Sequence, residues 1–445
     1  MSQPEIPYST KEQRGWYMYD WANSAFSTTV VTLFLGPYLT SLAKNAADAN
    51  GLIFPLGFQM DHRSFWSYIV GLSVFLQIIF LPVTGALADY SKRKKILLAV
   101  TAYIGAAATL LMFFLQGDTY LTGGILFIVS NLAFGASVVV YNSFLSDIAP
   151  PEERDSVSSK GYGVGYLGGG LLLALNLVLY GNAEKFGVSE GMAVRISLAS
   201  AGAWWGLFTV PTLLRLRNRK PALVNDGPKN LLTIGFTQLF RTLGHLRGYP
   251  QTLLFLLAYL LYNDAIQTVI TLASQFGNDE LKIPLSTLTL AILMVQFVAF
   301  FGAMLFNWIA SRTGTKNAVM LSLVIWTGIL IYIYVSVKTT VEFFIMAAIV
   351  AIILGGSQAL SRSLYSQMIP KGKEAEYFGL YEISDKGTSW LCPILFALAL
   401  DYTHSYRLAI LSLIIFFILG LGVLIKVNVP KAIADAEAGD GLPTT

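Results

Sequence analysis

Twelve stretches of about 20 residues pass through this chain almost without charge, and they limit the folds open to it more than any other feature. They are Trp21–Ala43, Ser64–Ala88, Ile96–Leu115, Leu121–Ser146, Gly161–Ala183, Ile196–Leu214, Gln251–Tyr262, Ile283–Ser311, Asn317–Val337, Phe343–Ser361, Gly387–Leu400 and Leu408–Ile425. The seventh extends through Asp264, the tenth through Arg362 and the eleventh back through Lys386. A backbone in lipid must satisfy its own hydrogen bonds, so each run is expected to be a helix. Composition agrees. Charged residues make up 13% of the 445, against roughly 25% in an ordinary soluble domain. The expected fold is all-α: twelve transmembrane helices, six on each side of a polar middle segment.

Orientation follows from where the cations fall. Of the 30 Lys and Arg residues, 21 lie in one alternating set of connections and 7 in the other, with Arg362 and Lys386 inside helices. An odd number of spans would spoil that asymmetry, so both termini are expected in the cytoplasm. The opening residues lack the basic-then-apolar layout of a signal peptide, so the first run is expected to be retained. The expected units are a first bundle (1–214), a linker (215–250), a second bundle (251–427) and a tail (428–445). In the linker, Leu232, Phe236, Leu239, Phe240, Leu243 and Leu246 alternate with Lys229, Arg241, His245 and Arg247, a spacing that predicts an amphipathic helix lying on the membrane. The tail beyond Pro430 is small and polar and is expected to be disordered.

The two bundles repeat each other. Gly135-Ala136-Ser137 leading to Ser143, Ser146 and Pro150 recurs as Gly355-Gly356-Ser357 leading to Ser363, Ser366 and Pro370, at a constant offset of 220. Gly85 to Lys94 aligns with Asn307 to Lys316 at an offset of 222, and Tyr19-Asp20 pairs more weakly with Tyr262-Asn263-Asp264. Two bundles of like orientation, related by an axis along the membrane normal, are a transporter architecture with its site at the midplane.

On these residues the chain resembles the major facilitator superfamily over essentially its whole length. Gly85-x-Leu87-Ala88-Asp89-x-x-x-Arg93-Lys94 is similar to the signature between that superfamily's second and third helices, with Tyr90 and Lys92 as departures. The second copy keeps Arg312 and Gly314 but has Ser311 in place of the acid. More narrowly, Tyr19 to Phe26, Tyr262 to Thr268, Gly355 to Ser363 and Phe378 to Glu382 resemble the vacuole amino-acid effluxers, the autophagy-related permeases and their bacterial relatives. That resemblance implies export of amino acids, from a vacuole in a fungus or across the inner membrane of a bacterium.

A charge at the bilayer centre costs about 2.5–3.5 kcal/mol on insertion scales and usually faces a cavity or a partner. Arg362 lies eight residues before Pro370, roughly 12 Å along its helix at about 1.5 Å per residue. Its fork suits a carboxylate. Either the substrate or a structural ion pair with Asp264, Glu382 or Asp20 satisfies it. Asp20 and Asp264 open the two halves and are candidates for proton coupling, although Asp20, four residues after Trp16, could equally cap its helix at the interface. Glu382 and Lys386, spaced i, i+4, can meet in a local salt bridge or face the substrate. Asn23, Tyr262, Asn263, Gln267 and Gln358 serve interhelical hydrogen bonding or substrate contact equally well. Gly85, Asp89, Arg93 and Arg312 are the expected gate. In it a carboxylate at a helix end approaches the positive N-terminus of another helix.

Other classes drop out. Gly163-x-Gly165-x-x-Gly168 matches the dinucleotide fingerprint but opens an apolar helix with no preceding strand, so Gly161, Gly165 and Gly169 fit close helix packing instead. No phosphate loop or nucleophile elbow is present, and the three histidines are scattered over loops and linker, so neither metal nor cofactor is expected. A net charge of +4 gives no reason to expect a nucleic-acid partner. The expected partners are a small solute, an amino acid first, and the lipid bilayer, with a monomer as the working unit and protons as a candidate coupling ion. Sugars, organic anions or drugs are rival cargoes on the same fold, and a membrane-embedded enzyme or a non-transporting receptor is the rival outside it.

Overall fold

The computed structural model describes residues 7–91, 93–219, 248–386 and 391–438, and within these it is almost wholly helical. α1 runs Thr10–Asn45, with its middle, Phe26–Phe34, wound as a π-helix. Then come α2 (Phe65–Asp89), α3 (Lys94–Leu111), α4 (Tyr120–Ser143), α5 (Arg154–Gly181) and α6 (Glu190–Arg215). The second half holds α7 (Pro250–Asp279), α8 (Leu285–Thr313), α9 (Thr315–Val335), α10 (Thr340–Gln367), α11 (Glu374–Lys386), α12 (Leu391–Thr403), α13 (Tyr406–Lys426, with a break at Leu413) and α14 (Val429–Ala438). A two-stranded hairpin, β1 (Leu52–Ile53) against β2 (Met60–Asp61), joins α1 to α2.

The boundaries have local causes. Ser9, Ser189, Thr339 and Ser405 cap their helices through side-chain oxygens, and Thr339 forms a reciprocal capping box with Glu342. Gly314, at φ +86°, turns the chain between α8 and α9 with no loop to spare. Among the described residues ten helices are long and apolar enough to cross a bilayer. The other two expected spans fall short for different reasons. α6 has the length, but Trp204, Trp205 and many small residues dilute its hydropathy, and α12 is 13 residues long, separated from α11 by positions outside the described residues.

The tail departs from expectation. α14 is ordered helix through Ala438 because Ala432 and Ala436, spaced i, i+4, are buried and Asn428 Oδ1 accepts the Lys431 N–H. The amphipathic linker helix lies outside the described residues.

The interior is divided in two. One hydrophobic core is built from residues between Trp16 and Leu216, the other from residues between Tyr249 and Ala432. Second-half residues cross the divide: Ala375, at the start of α11, is buried in the first half's core, and Ile292 and Leu293 of α8 pack against it. Large apolar side chains such as Phe75, Leu207, Phe301 and Ile418 stay exposed on the outside, as a lipid-facing surface requires.

Candidate functional site

The halves meet along a seam that is closed at the membrane end carrying the α2–α3 and α8–α9 turns. At the outermost level the Asp89 carboxylate, at the C-terminus of α2, accepts the Ala375 N–H (2.9 Å) and the Glu376 N–H (2.7 Å) at the free N-terminus of α11. Those are orphan donors of a helix end, so one carboxylate satisfies two of them and complements the dipole. Gly85 makes the approach possible, since a Cβ there would run into the Ala375 carbonyl. Lys94 binds Asp147 Oδ2 and Ser143 O, both at 3.0 Å, over the Phe144 ring. Arg93 is exposed, so the basic residue that pairs with an acid here is its neighbour. Arg312 lies over Trp308 in its own helix, 3.9 Å from the ring centroid.

One level deeper sits Arg362, 2% exposed. Its Nε donates to Ser158 Oγ (2.9 Å), one terminal nitrogen to Asn142 Oδ1 (3.2 Å) and the other to Ser158 O (3.0 Å). Both terminal nitrogens also reach Asp20 Oδ2, at 3.5 and 3.4 Å. All five N–H groups are thus placed. The guanidinium plane lies between aromatic rings, 4.1 Å from the Tyr162 centroid and 4.6 Å from Trp16. Of the three acids that could have paired with it, the structure selects Asp20. Asp20 is buried inside α1, well past the Ser9 cap, and is therefore no helix cap. Tyr141 donates to its Oδ2 at 2.6 Å. Asn142 completes the network by donating to Glu382 Oε1 at 3.0 Å. Every link from Arg362 or Glu382 to the first half is an interaction between halves.

The glycine face of α5 supports this cluster. A Cβ at Gly161 would lie 2.7 Å from both Asp20 Oδ2 and Trp16 Cζ3, and one at Gly165 would lie 2.8 Å from Ser24 Oγ. The glycines serve close packing against α1, and the ion pair fits because residue 161 has no side chain.

Farther along the seam Tyr262 bonds Ser361 (2.7 Å) and Tyr166 donates to Gln358 Oε1 (2.8 Å). Asn263 donates to Asp385 Oδ1 (2.7 Å), which also accepts from Tyr259 (2.9 Å). Asp264 stands apart: Oδ2 accepts the Cys392 N–H at 3.0 Å, and Oδ1 is buried with no hydrogen-bond partner among the described residues. Asn23 is buried in α1 and Gln267 is half-buried on α7. The side chain of Lys386 lies outside the described residues.

The family model described as vacuole effluxer Atg22 like matches residues 8–437. The chain belongs to this Atg22-like family. The uncharacterized MFS-type transporter YxiO of Bacillus subtilis is 32% identical over 93% of this chain and 94% of its own length. Autophagy-related protein 22-1 of Penicillium rubens is 27% identical over 98% of this chain and 94% of its own. Among solved structures, the proton:xylose symporter XylE superposes with a TM-score of 0.67 at 12% identity, covering 94% of this chain and 95% of its own. An outward-facing bacterial homologue of the iron transporter ferroportin gives 0.65 at 14% identity, covering 95% and 99%. The fold is thus that of the major facilitator superfamily. This Atg22-like chain is a multi-pass integral membrane transporter, in a family that is not enzymatic.

Residue-by-residue reasoning passed over Trp16, Tyr141, Asn142, Ser158, Tyr162 and Asp385. The repeat held the signal for two of them. The offset of 220 maps Asn142 onto Arg362 and Tyr162 onto Glu382. The two mapped pairs touch in mirrored fashion, Arg362 on Tyr162 and Asn142 on Glu382. Asn142 and Arg362 also touch each other, which places both beside the pseudo-twofold axis.

Proposed function

We propose that this Atg22-like protein exports amino acids by alternating access, coupled to protons, through twelve membrane crossings with both termini in the cytoplasm. The observation that carries this reading is the Arg362 cluster on the pseudo-axis, in which a carboxylate of one half occupies a guanidinium of the other. A solute carboxylate is the chemical equal of Asp20 for that fork. When an amino acid takes Arg362, Asp20 is released to Tyr141 and to a proton, and the contact that ties α1 to α10 is gone. When the solute leaves, Asp20 returns, the proton departs, and the cytoplasmic end closes again. Asp264, with one oxygen held and one without a donor among the described residues, is the matching proton carrier of the second half. Asp89 on the α11 terminus holds the closed state and Gly85 lets it approach.

The test is efflux of a labelled amino-acid mixture from proteoliposomes, with and without a pH gradient, in wild type and Arg362→Ala. Flux that follows the gradient and fails in the variant is expected. Gradient-independent flux removes protons from the scheme. A folded wild type that moves no amino acid ends the assignment and turns the search to organic anions, sugars and drugs.

A further inference from the structure

The Asp89 latch has a counterpart that the sequence signature hides. Its repeat, the α8–α9 turn, carries Ser311 where the acid belongs. In the structure that turn nonetheless engages the first half. Thr315 Oγ1, the first residue of α9, donates to Asp155 Oδ2 near the start of α5. Beside it Arg154, 8% exposed, donates to the Ser366 carbonyl near the end of α10 at 2.6 Å and to Ala149 O at 3.2 Å. The offset of 220 maps Arg154 and Asp155 onto Glu374 and Ala375, and Ala375 gives its N–H to Asp89. Equivalent parts of the two repeats, an interhelical turn of one half and a helix start of the other, meet in both places.

We infer that Arg154 and Asp155 form a second cytoplasmic latch in which the missing acid of the α8–α9 turn has moved across the seam onto α5. In the first latch, the turn between helices supplies the carboxylate and the facing helix start supplies the donors. In the second, the turn supplies a hydroxyl donor and the helix start supplies the carboxylate. Both acids therefore belong to the first half, and among the described residues the second half contributes backbone groups and the Thr315 hydroxyl. Arg154 completes the latch by satisfying a carbonyl at the α10 terminus, where a cation also complements the dipole. Neither residue touches the Arg362 cluster by a hydrogen bond, so they act by position, holding the closed end rather than handling solute.

This inference rests on the alternating-access reading, and the experiment separates the two. Spin labels at Arg93 and Lys426, exposed at the same end in different halves, report the distance across the seam in nanodiscs, with buried Cys392 replaced by Ala. The Arg154→Ala/Asp155→Ala double variant is expected to raise the open-to-closed ratio roughly tenfold, the size of a lost charge-assisted hydrogen bond. Asp89→Asn is expected to do so as well, and Thr315→Val, at a half-exposed helix start, to give a smaller shift in the same direction. Thr315→Ser, which keeps the hydroxyl, should stay closed. If Asp89→Asn opens the end while Arg154→Ala/Asp155→Ala and Thr315→Val leave it closed, the second latch is refuted. If no variant, Asp89→Asn included, moves the distance, alternating access itself fails.

Discussion

Positions 142 and 362 are the same place in two copies of one ancestral bundle, yet one is an amide and the other a cation. They face each other across the axis at 3.2 Å. Asn142 is satisfied by neutral and charged partners alike. Arg362 needs an acid, and burying it without one would cost several kcal/mol. Duplication left a symmetric frame, and a single charged copy on the axis made the site asymmetric. Position 161 and its mate 381 diverge in the same spirit. Gly161 makes room for the ion pair, while Tyr381 fills that place in the second half by stacking on Tyr259, centroids 4.2 Å apart.

The harshest way to break the contrast is Arg362→Asn, which makes both copies alike. It strands Asp20 in a buried site, and we expect efflux to vanish and stability to fall by about 3–5 kcal/mol, read from flux and from thermal melting. Gly161→Ala tests the room that the pair needs. The added methyl meets Asp20 and Trp16, so a loss of about 1–3 kcal/mol should accompany slower efflux, whereas Gly181→Ala, which meets nothing within 4 Å, should match wild type. The mates Tyr141 and Ser361 give the finest comparison. Tyr141→Phe removes a donor from a carboxylate, worth about 1.5–3 kcal/mol, while Ser361→Ala removes a neutral partner of Tyr262, worth about 1 kcal/mol. Equal effects on melting would mean that Asp20 carries no charge in the closed state.

Much of the frame was legible beforehand. Apolar runs marked the helices, and the repeat showed two like bundles. The glycine face on α5 and the acid at residue 89 were visible as patterns because each is defined by neighbours along the chain. The partner of Arg362 was not. Three acids were open to it, and the choice depends on how α1 of one half meets α10 of the other, 342 residues apart. Asn142 and Tyr162 look like ordinary helix polars until the offset of 220 is applied to Arg362 and Glu382. The helical tail was missed for a simpler reason. Two buried alanines in a polar segment make a weak apolar stripe, and only the surface that covers them shows their worth.

The π-wound stretch Phe26–Phe34 divides the first helix into two lengths that need not turn together. A π turn closes on the fifth residue instead of the fourth, so this stretch stores surplus chain that an α-helix would not hold. Thr28 and Thr32 brace it by donating to the Ser24 and Ser27 carbonyls, and Thr28 also rests on Gly169 O of α5. Below it lies Asp20, and above it Leu39 and Leu42 stay embedded in the first half's core. The lower length is embedded in the same core through Trp16, Tyr19, Ala22 and Ala25. The wide turn therefore sets the rotational register between the length that carries Asp20 and the length beyond it.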